Sequence, residues 1–394
     1  IAAGILILAL TGCSRYEPAK EITRSQKEAA RPEEAEAQSG QETQEAEAVD
    51  SEVITISSYP PRNPVKVKGI YVSAYVAGTG DMMDKIIEEI DRTELNAVVI
   101  DVKDDQGRIT YAMDSPTVNE IGACHVFIRD MPALMAKLKE HGIYTIARVV
   151  AFRDPYLAEQ KPEWSLHVAD DKIYRDNKGL AWVNPYKKEV WDYLVEVGKK
   201  AGEVGFDEIQ FDYIRFAVDR TMNDVVFDDG DTQGRNKTQA ITEFISYAYD
   251  ELAKEGLFVS ADVFGAIMRS EEDAAAVGQE YEDMAEHLDY ICPMIYPSHY
   301  GPGNFGIEYP DTQPYDTILN ALNGSRELLA ASAKDDTPQA VVRPWLQDFT
   351  ASYLEHYIRY GDEQVRQQIQ AVYDAGYDQW ICLLYTSPSP RDTR

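Results

Sequence analysis

Short apolar segments alternate with amphipathic segments along most of this chain. The apolar segments predict eight strands, at residues 67–73, 97–103, 144–150, 209–212, 258–262, 290–296, 340–345 and 379–381. Several of the intervening segments, such as 81–93 and 190–204, repeat apolar residues at helical spacing and predict helices. Strands separated by helices favour parallel pairing. Eight such units predict an α/β fold, a (β/α)8 TIM barrel that occupies residues 67–381.

The predicted fourth strand ends in a carboxylate. With a period of two, Ile209 and Phe211 lie on one face, and Gln210 and Asp212 lie on the other. Catalytic groups of a barrel of this kind lie at the C-terminal ends of its strands. The pattern therefore favours Asp212 as a catalytic residue, and the alternative is a surface Asp that caps the next helix.

Polar residues also lie near the ends of other predicted strands, and we expect them to converge on one pocket. Asp262 ends the fifth strand and is the second catalytic candidate. Asp101 is expected to share a face with Lys103. The candidate substrate-binding residues at the same end of the barrel are Asp101, Lys103, Arg148, Arg215, Tyr296, His299, Arg343 and Trp345.

Two carboxylates on adjacent strands suit the hydrolysis of an acetal, because glycoside hydrolysis uses a nucleophile or base together with a carboxylic acid. Aromatic side chains that could stack on sugar rings are frequent at the predicted rim, namely Tyr71, Tyr75, Trp164, Trp182, Tyr213, Tyr296, Tyr300 and Trp345. Each of these alone could equally serve ordinary packing, so only the group as a whole indicates a sugar-binding surface.

Seven segments resemble a known family: 67–73, 96–104, 146–150, 182–186, 206–216, 259–265 and 292–300. In order along the chain, they are similar to the glycosyl hydrolase domain family of bacterial exported proteins and lipoproteins, a relative of the α-amylase-like barrels. The resemblance implies a sugar-active barrel in which Asp212 is the nucleophile. The α-amylase pattern has Glu at the end of strand five, where this chain has Asp262.

Two functions remain open at this point. One is a glycoside hydrolase that acts on poly- or oligosaccharide. The other is a non-catalytic barrel that binds cell-wall polysaccharide, in which the acidic groups only bond to hydroxyls. No Gly-x-Gly-x-x-Gly turn or Walker loop follows a strand, so we expect no cofactor. The six His and the absence of a Cys-x-x-Cys motif give no sign of a metal site.

The N-terminal 66 residues do not share the alternating strand and helix pattern of the barrel. Residues 1–13 form a short apolar run that ends in Leu-Thr-Gly-Cys, which resembles a lipoprotein signal peptide with Cys13 as the lipidated residue. A plain secretory segment is the alternative. Residues 14–66 are poor in aromatics and rich in Glu, Gln, Ala and Ser, so they predict a disordered acidic tether.

Residues 382–394 resemble the translation of a sequencing adapter, with a genuine Ser/Pro-rich tail as the alternative. The adapter interpretation predicts a C-terminally truncated barrel, in which the eighth strand breaks off near Ile381 and leaves the first and seventh strands with unpaired edges.

The net charge of −30 argues against nucleic acid and against docking on anionic lipid. The lipobox-like segment predicts export to the bacterial cell surface and contact with the membrane only through an N-terminal lipid anchor, and the candidate pocket predicts a carbohydrate partner. We also expect a monomer.

Overall fold

The computed structural model describes residues 59–335 and 337–383. Cys13, most of the predicted tether and residues 384–394 lie outside this range, so the lipidation site and most of the adapter-like segment stay predictions.

Eight parallel strands form a closed barrel, as the sequence predicts. They are β1 Lys68–Val72, β2 Ala97–Lys103, β3 Tyr144–Val150, β4 Glu208–Asp212, β5 Phe258–Phe264, β6 Tyr290–Met294, β7 in two segments, Val341–Val342 and Trp345–Gln347, and β8 Trp380–Leu383. Each strand pairs with the next along the chain, and β8 pairs with both β7 and β1. This is the architecture of a TIM barrel.

The closure at β8 corrects one expectation. The strand does not break off after Ile381, because Cys382 pairs with Ile70 of β1 and with Leu346 of β7. Backbone hydrogen bonds depend little on side-chain identity, and the small apolar Cys382 side chain is buried in the wall. Consequently β1 and β7 have no unpaired edge facing each other.

Helices surround the barrel and bury their apolar stripes against the strands. They are α1 Gly80–Arg92, α2 Met131–Glu140, α3 Lys188–Glu203, α4 Lys237–Ala253, α5 Glu271–Val277, α6 Tyr281–Ala285, α7 Pro314–Ser332 and α8 Asp362–Asp374. The start of α4 is fixed by a capping box, in which Asn236 and Gln239 each accept a hydrogen bond from the other's backbone N–H. Within residues 59–335 and 337–383, no helix has both the length and the apolar character needed to span a bilayer.

Insertions enlarge the C-terminal side of the barrel. After β2 come two short strands, Ile109–Tyr111 and Cys124–Ile128, on either side of a helix at Pro116–Ile121. After β3 and β4, the segments His167–Val168, Lys172–Ile173 and Val225–Val226 form a small antiparallel sheet. These insertions build the walls around the strand ends.

The packed part of the chain extends further towards the N-terminus than the sequence suggested. Arg62, assigned to the tether, donates to both carboxylate oxygens of Asp289, at 2.7 and 2.8 Å. It also donates to the carbonyl of Leu257 and stacks over the ring of Phe258 at 4.7 Å. Leu257 and Asp289 immediately precede β5 and β6, so this segment packs on the N-terminal end of the barrel.

Candidate active site

Arg148 is the centre of a polar cluster at the C-terminal end of the barrel. Its Nη1 donates to Oδ1 of Asp101 at 2.7 Å, while Nε and Nη2 donate to Oδ2 of Asp212 at 2.9 and 2.5 Å. Tyr71 donates to the other oxygen of Asp101 at 2.6 Å. Burial raises the pKa of Asp101, and the positive charge of Arg148 opposes that effect. The guanidinium therefore holds carboxylates of β2 and β4 together.

The strand register brings these residues to one level. Asp101 pairs directly with Arg148 across β2 and β3. Asp212 pairs with Val150 across β3 and β4. Since strand ends of a parallel barrel lie on one rim, residues that are far apart in sequence become neighbours there.

The backbone turns sharply immediately after Asp212. Tyr213 adopts a positive φ of 50°, and its N–H donates to Oδ1 of Asp212 at 2.6 Å. A positive φ is uncommon for a bulky residue and costs free energy, and such strain concentrates at functional sites. The turn gives Asp212 a backbone donor on one oxygen and Arg148 on the other, so both oxygens are fixed in position.

Asp262 lies beside Asp212 on the next strand. Ala261 pairs with Phe211, so the two aspartates are the next residues in register on β5 and β4. Oδ1 of Asp262 accepts a hydrogen bond from Nε1 of Trp345 at 2.6 Å. Burial raises the pKa of Asp262 well above its usual value, and the negative charge of Asp212 raises it further. The environment thus favours the neutral acid form of Asp262.

Aromatic side chains line the β6 and β7 side of this pair. Tyr296 is buried, and its ring contacts those of His299 and Phe349, with centroid separations of 5.0 and 5.7 Å. Burial raises the pKa of the Tyr296 phenol, followed by the charges of Asp262 and Asp212. His299 itself is exposed at the rim. Tyr296 therefore remains a neutral hydroxyl close to the carboxyl pair.

Arg215 lies on the opposite side, in the loop after β4. Its guanidinium lies over the rings of Trp182, Tyr213 and Phe264, at 5.1, 5.2 and 4.6 Å from their centroids. Cation–π contacts of this kind hold the charged group against the aromatic surface. The partly exposed Arg215 and Tyr213 contribute a polar and an aromatic group to the rim.

Two residues that the sequence assigned to the pocket lie elsewhere. A register shift between Asp101 and Lys103 turns the Lys103 side chain away from the cluster, so the predicted shared face is wrong. Lys103 is fully buried and bonds to Asp154 at 2.7 Å and to the carbonyl of Val150 at 2.6 Å. It thus has a structural partner outside the cluster.

Arg343 lies deeper, inside the barrel. Its Nη1 donates to both carboxylate oxygens of Glu208, at 2.8 and 3.0 Å, and both side chains are fully buried. Tyr144 and Ser260 donate to the same carboxylate, at 3.0 and 2.5 Å. Arg343 and Trp345 both point inward, as predicted. Arg343, however, lies at the level of Glu208, the first residue of β4, and so below the polar cluster at the C-terminal end of the barrel.

Two members of the cluster received no role from the sequence. Asp105 accepts from Nη2 of Arg148 at 3.0 Å, and its side chain is 40% exposed. It follows β2 in a loop, where alternation no longer predicts direction. Tyr71 was identified only as one rim aromatic among several. Its alternation with Ile70 and Val72 on β1 could have placed its side chain on the inner face of the barrel.

The cluster offers acid, base and hydroxyl chemistry from protein groups. In the described ranges 59–335 and 337–383, no group of three or more His, Cys, Asp or Glu is arranged to hold a metal ion. Asp262 can donate a proton, and the carboxylate of Asp212 can attack or accept one. Two carboxyl groups with different surroundings therefore lie on adjacent strands at this end of the barrel.

Solved structures with similar folds include several glycoside hydrolases. The glycoside hydrolase domain of PgaB (BpsB) from Bordetella bronchiseptica is 12% identical, with 84% of this chain and 97% of that chain covered and a TM-score of 0.54. A β-N-acetylhexosaminidase is 11% identical, with 84% and 67% covered and a TM-score of 0.53. At these identities the similarity establishes the barrel fold alone.

A hypothetical protein from Ruminiclostridium thermocellum ATCC 27405 is more similar in sequence, at 38% identity. The comparison covers 49% of this chain and 97% of that chain, with a TM-score of 0.46. No curated protein sequence matches the chain. Residues 69–387, which include all eight strands except the first residue of β1, match the family described as "Putative glycosyl hydrolase domain". The chain belongs to this glycosyl hydrolase domain family.

Proposed function

We propose that this protein is a glycoside hydrolase that acts on poly- or oligosaccharide at the bacterial cell surface. The observation that carries the proposal is the pairing of two carboxyl groups in opposite environments on adjacent strands. Asp212 is bonded to the guanidinium of Arg148, whereas Asp262 is buried and favours its protonated form. Pairs of titratable groups in opposed environments are typical of acid and base assignments in hydrolases.

In this proposal Asp262 is the general acid. It gives its proton to the glycosidic oxygen as the bond between that oxygen and the anomeric carbon breaks. In one route the carboxylate of Asp212 attacks the anomeric carbon and forms a glycosyl ester, which water then hydrolyses while Asp262 takes the proton of that water. In the other route Asp212 takes a proton from the water that attacks the anomeric carbon directly. Arg148 positions Asp212 and neutralises part of the charge of the cluster.

Groups around the carboxyl pair would bind the sugar. Tyr71 and Asp101 lie on the β1 and β2 side, Tyr296 and His299 lie on the β6 side, and Arg215 lies after β4. Hydroxyl, carboxylate and aromatic groups in this combination suit the hydroxyls and apolar faces of sugars. The net charge of −30 favours neutral or cationic glycans over polyanionic ones.

Anchoring at the cell surface is part of the proposal and rests on the lipobox-like Leu-Thr-Gly-Cys at residues 10–13. If Cys13 carries lipid, residues 14–58 would connect the membrane to the segment around Arg62. Arg62 packs at the N-terminal end of the barrel, and Asp212 lies at the opposite end. The proposed active site would then lie at the end of the barrel opposite to the point where the tether joins it.

A panel of α- and β-linked glycans, including bacterial cell-wall polysaccharide, tests the proposal. New reducing ends are measured with the wild-type protein and with Asp212→Asn as the background control. We expect at least one glycan to be cleaved by the wild type and not by the variant. If no glycan that binds the wild type is cleaved, the proposal of hydrolysis fails.

A second candidate function is non-catalytic carbohydrate binding, and one observation favours it. The carboxyl pair is nearly covered, because Asp212 is 8% exposed and Asp262 is 2% exposed. Arg148, Tyr213 and Trp345 already bond to these two residues. Affinity electrophoresis on the same glycans distinguishes the two functions, since a binding protein is retarded by a glycan that it leaves intact.

A further inference from the structure

Trp345 of β7 reaches across the barrel to β5. Its backbone pairs with Met294 of β6 and with Ile381 of β8. Its indole Nε1 donates to Oδ1 of Asp262 at 2.6 Å, and both side chains are buried. The sequence suggested a sugar-stacking role, but a ring that is 3% exposed offers little surface to a ligand.

The chemistry of the indole limits how Asp262 can hold a proton. An indole N–H only donates, so the oxygen that faces it must accept. A neutral carboxyl group carries one proton, and a proton on Oδ1 would compete with the indole for the same space. The proton therefore belongs on Oδ2.

We propose that Trp345 is a positioning residue that keeps the acid proton of Asp262 on Oδ2 and fixes the rotation of that carboxyl group. The inference rests on the proposed function, in which Asp262 is the general acid. The torsion of an Asp carboxyl group is broad and roughly two-fold, so without a partner either oxygen could face the substrate. The indole bond removes that ambiguity before the substrate arrives.

Trp345→Phe tests this role because it keeps an aromatic ring and removes the donor. The bond to Trp345 favours the ionised form of Asp262, so its loss raises the pKa of Asp262. We expect the alkaline limb of the kcat profile to move to higher pH. We also expect kcat on natural glycans to fall about 10-fold, because the lost hydrogen bond would have stabilised the negative charge that Asp262 gains as it gives up its proton, while KM changes less.

Trp380→Phe is the matched control. Trp380 lies on the neighbouring β8 and is as buried as Trp345, but its indole donates to Tyr373 rather than to a carboxylate. The control loses the same volume and one donor, so it should reproduce any general effect on packing without moving the pH profile.

A second readout is independent of activity. Infrared difference spectra follow the protonated carboxyl of Asp262, identified by its absence in Asp262→Asn, as the pH is raised. We expect Trp345→Phe to titrate at higher pH than the wild type. An unchanged titration would overturn the positioning role even if activity falls. A shifted titration in a protein that cleaves no glycan would support the role of Trp345 while the proposed hydrolysis fails.

If Trp345→Phe does not fold, residue 345 is replaced by 3-benzothienylalanine, which keeps the shape of tryptophan and replaces the N–H with sulfur. The same shift of the Asp262 titration is expected. An unchanged titration with this isostere would again contradict the proposal.

Discussion

Arg148 of β3 donates two hydrogen bonds to a single oxygen of Asp212 on β4, at 2.9 and 2.5 Å. The same guanidinium bonds to Asp101 and Asp105, so one cation serves three carboxylates. Because Arg148 and Asp101 are buried, removal of the cation would leave negative charges close together in a region of low dielectric.

Arg148→Met is therefore expected to destabilise the fold by about 3–5 kcal/mol, the range for removing one partner of a buried ion pair. Denaturant unfolding measures the change, and Arg92→Met on the exposed surface of α1 is the control. Combining Arg148→Met with Asp101→Asn should recover part of the loss, because one buried charge is removed with its partner. Strict additivity of the two substitutions would contradict the account of the cluster.

Asp262→Ala separates the acid role from other roles. A natural glycan needs its leaving group protonated, whereas an activated aryl glycoside needs little protonation. We expect the variant to lose far more activity on natural glycans than on aryl glycosides. Equal losses on both substrates would assign the acid to another residue. Asp101→Ala and Asp348→Ala, the second of which removes the carboxylate directly after β7, would then be measured in the same way.

The raised pKa of Asp262 also predicts how stability depends on pH. Between the ordinary pKa of Asp, about 3.9, and the raised folded value, the folded wild type holds a proton that the unfolded chain has lost. Within that interval, the contribution of Asp262 to the free energy of unfolding falls by about 1.4 kcal/mol for each unit by which the pH rises.

Asp262→Asn cannot titrate, and its side-chain oxygen can still accept from Trp345. The melting temperature of this variant should therefore rise relative to that of the wild type as the pH increases from 4 to 8. Asp84→Asn, at an exposed position on α1, controls for the loss of one carboxylate. A difference between Asp262→Asn and wild type that stays constant with pH would show that Asp262 is not held neutral.

Much of the fold and part of the site could be predicted from the sequence. Period-two alternation gave the inward direction of Asp212, which ends β4, and of Asp262, which lies two residues before the end of β5 rather than at its end. The structure brings Arg148 and Trp345 to these two aspartates. These predictions succeed because a regular strand end gives both the direction and the level of a side chain.

The predictions that were wrong or missing depend on structural features that the alternation of apolar and polar residues cannot show. A register shift reverses the direction of Lys103, and Asp105 lies in a loop. Alternation gave the correct face for Arg343, but depth along the barrel depends on register with neighbouring strands. The segment around Arg62 packs through long-range contacts of that side chain with Asp289, the carbonyl of Leu257 and the ring of Phe258, which composition cannot reveal.

The rate of Asp212→Asn tests the central claim most directly. The substitution keeps the size of the side chain and removes its charge. It is compared with wild type, with Asp262→Asn and with the double variant on the best-cleaved glycan, after each is shown to fold by circular dichroism. We predict a loss of at least ~10³-fold in kcat/KM for Asp212→Asn, and a double variant little worse than either single one, because the two carboxyl groups act as a unit. A folded Asp212→Asn protein that cleaves the glycan at a rate near that of the wild type would contradict the account.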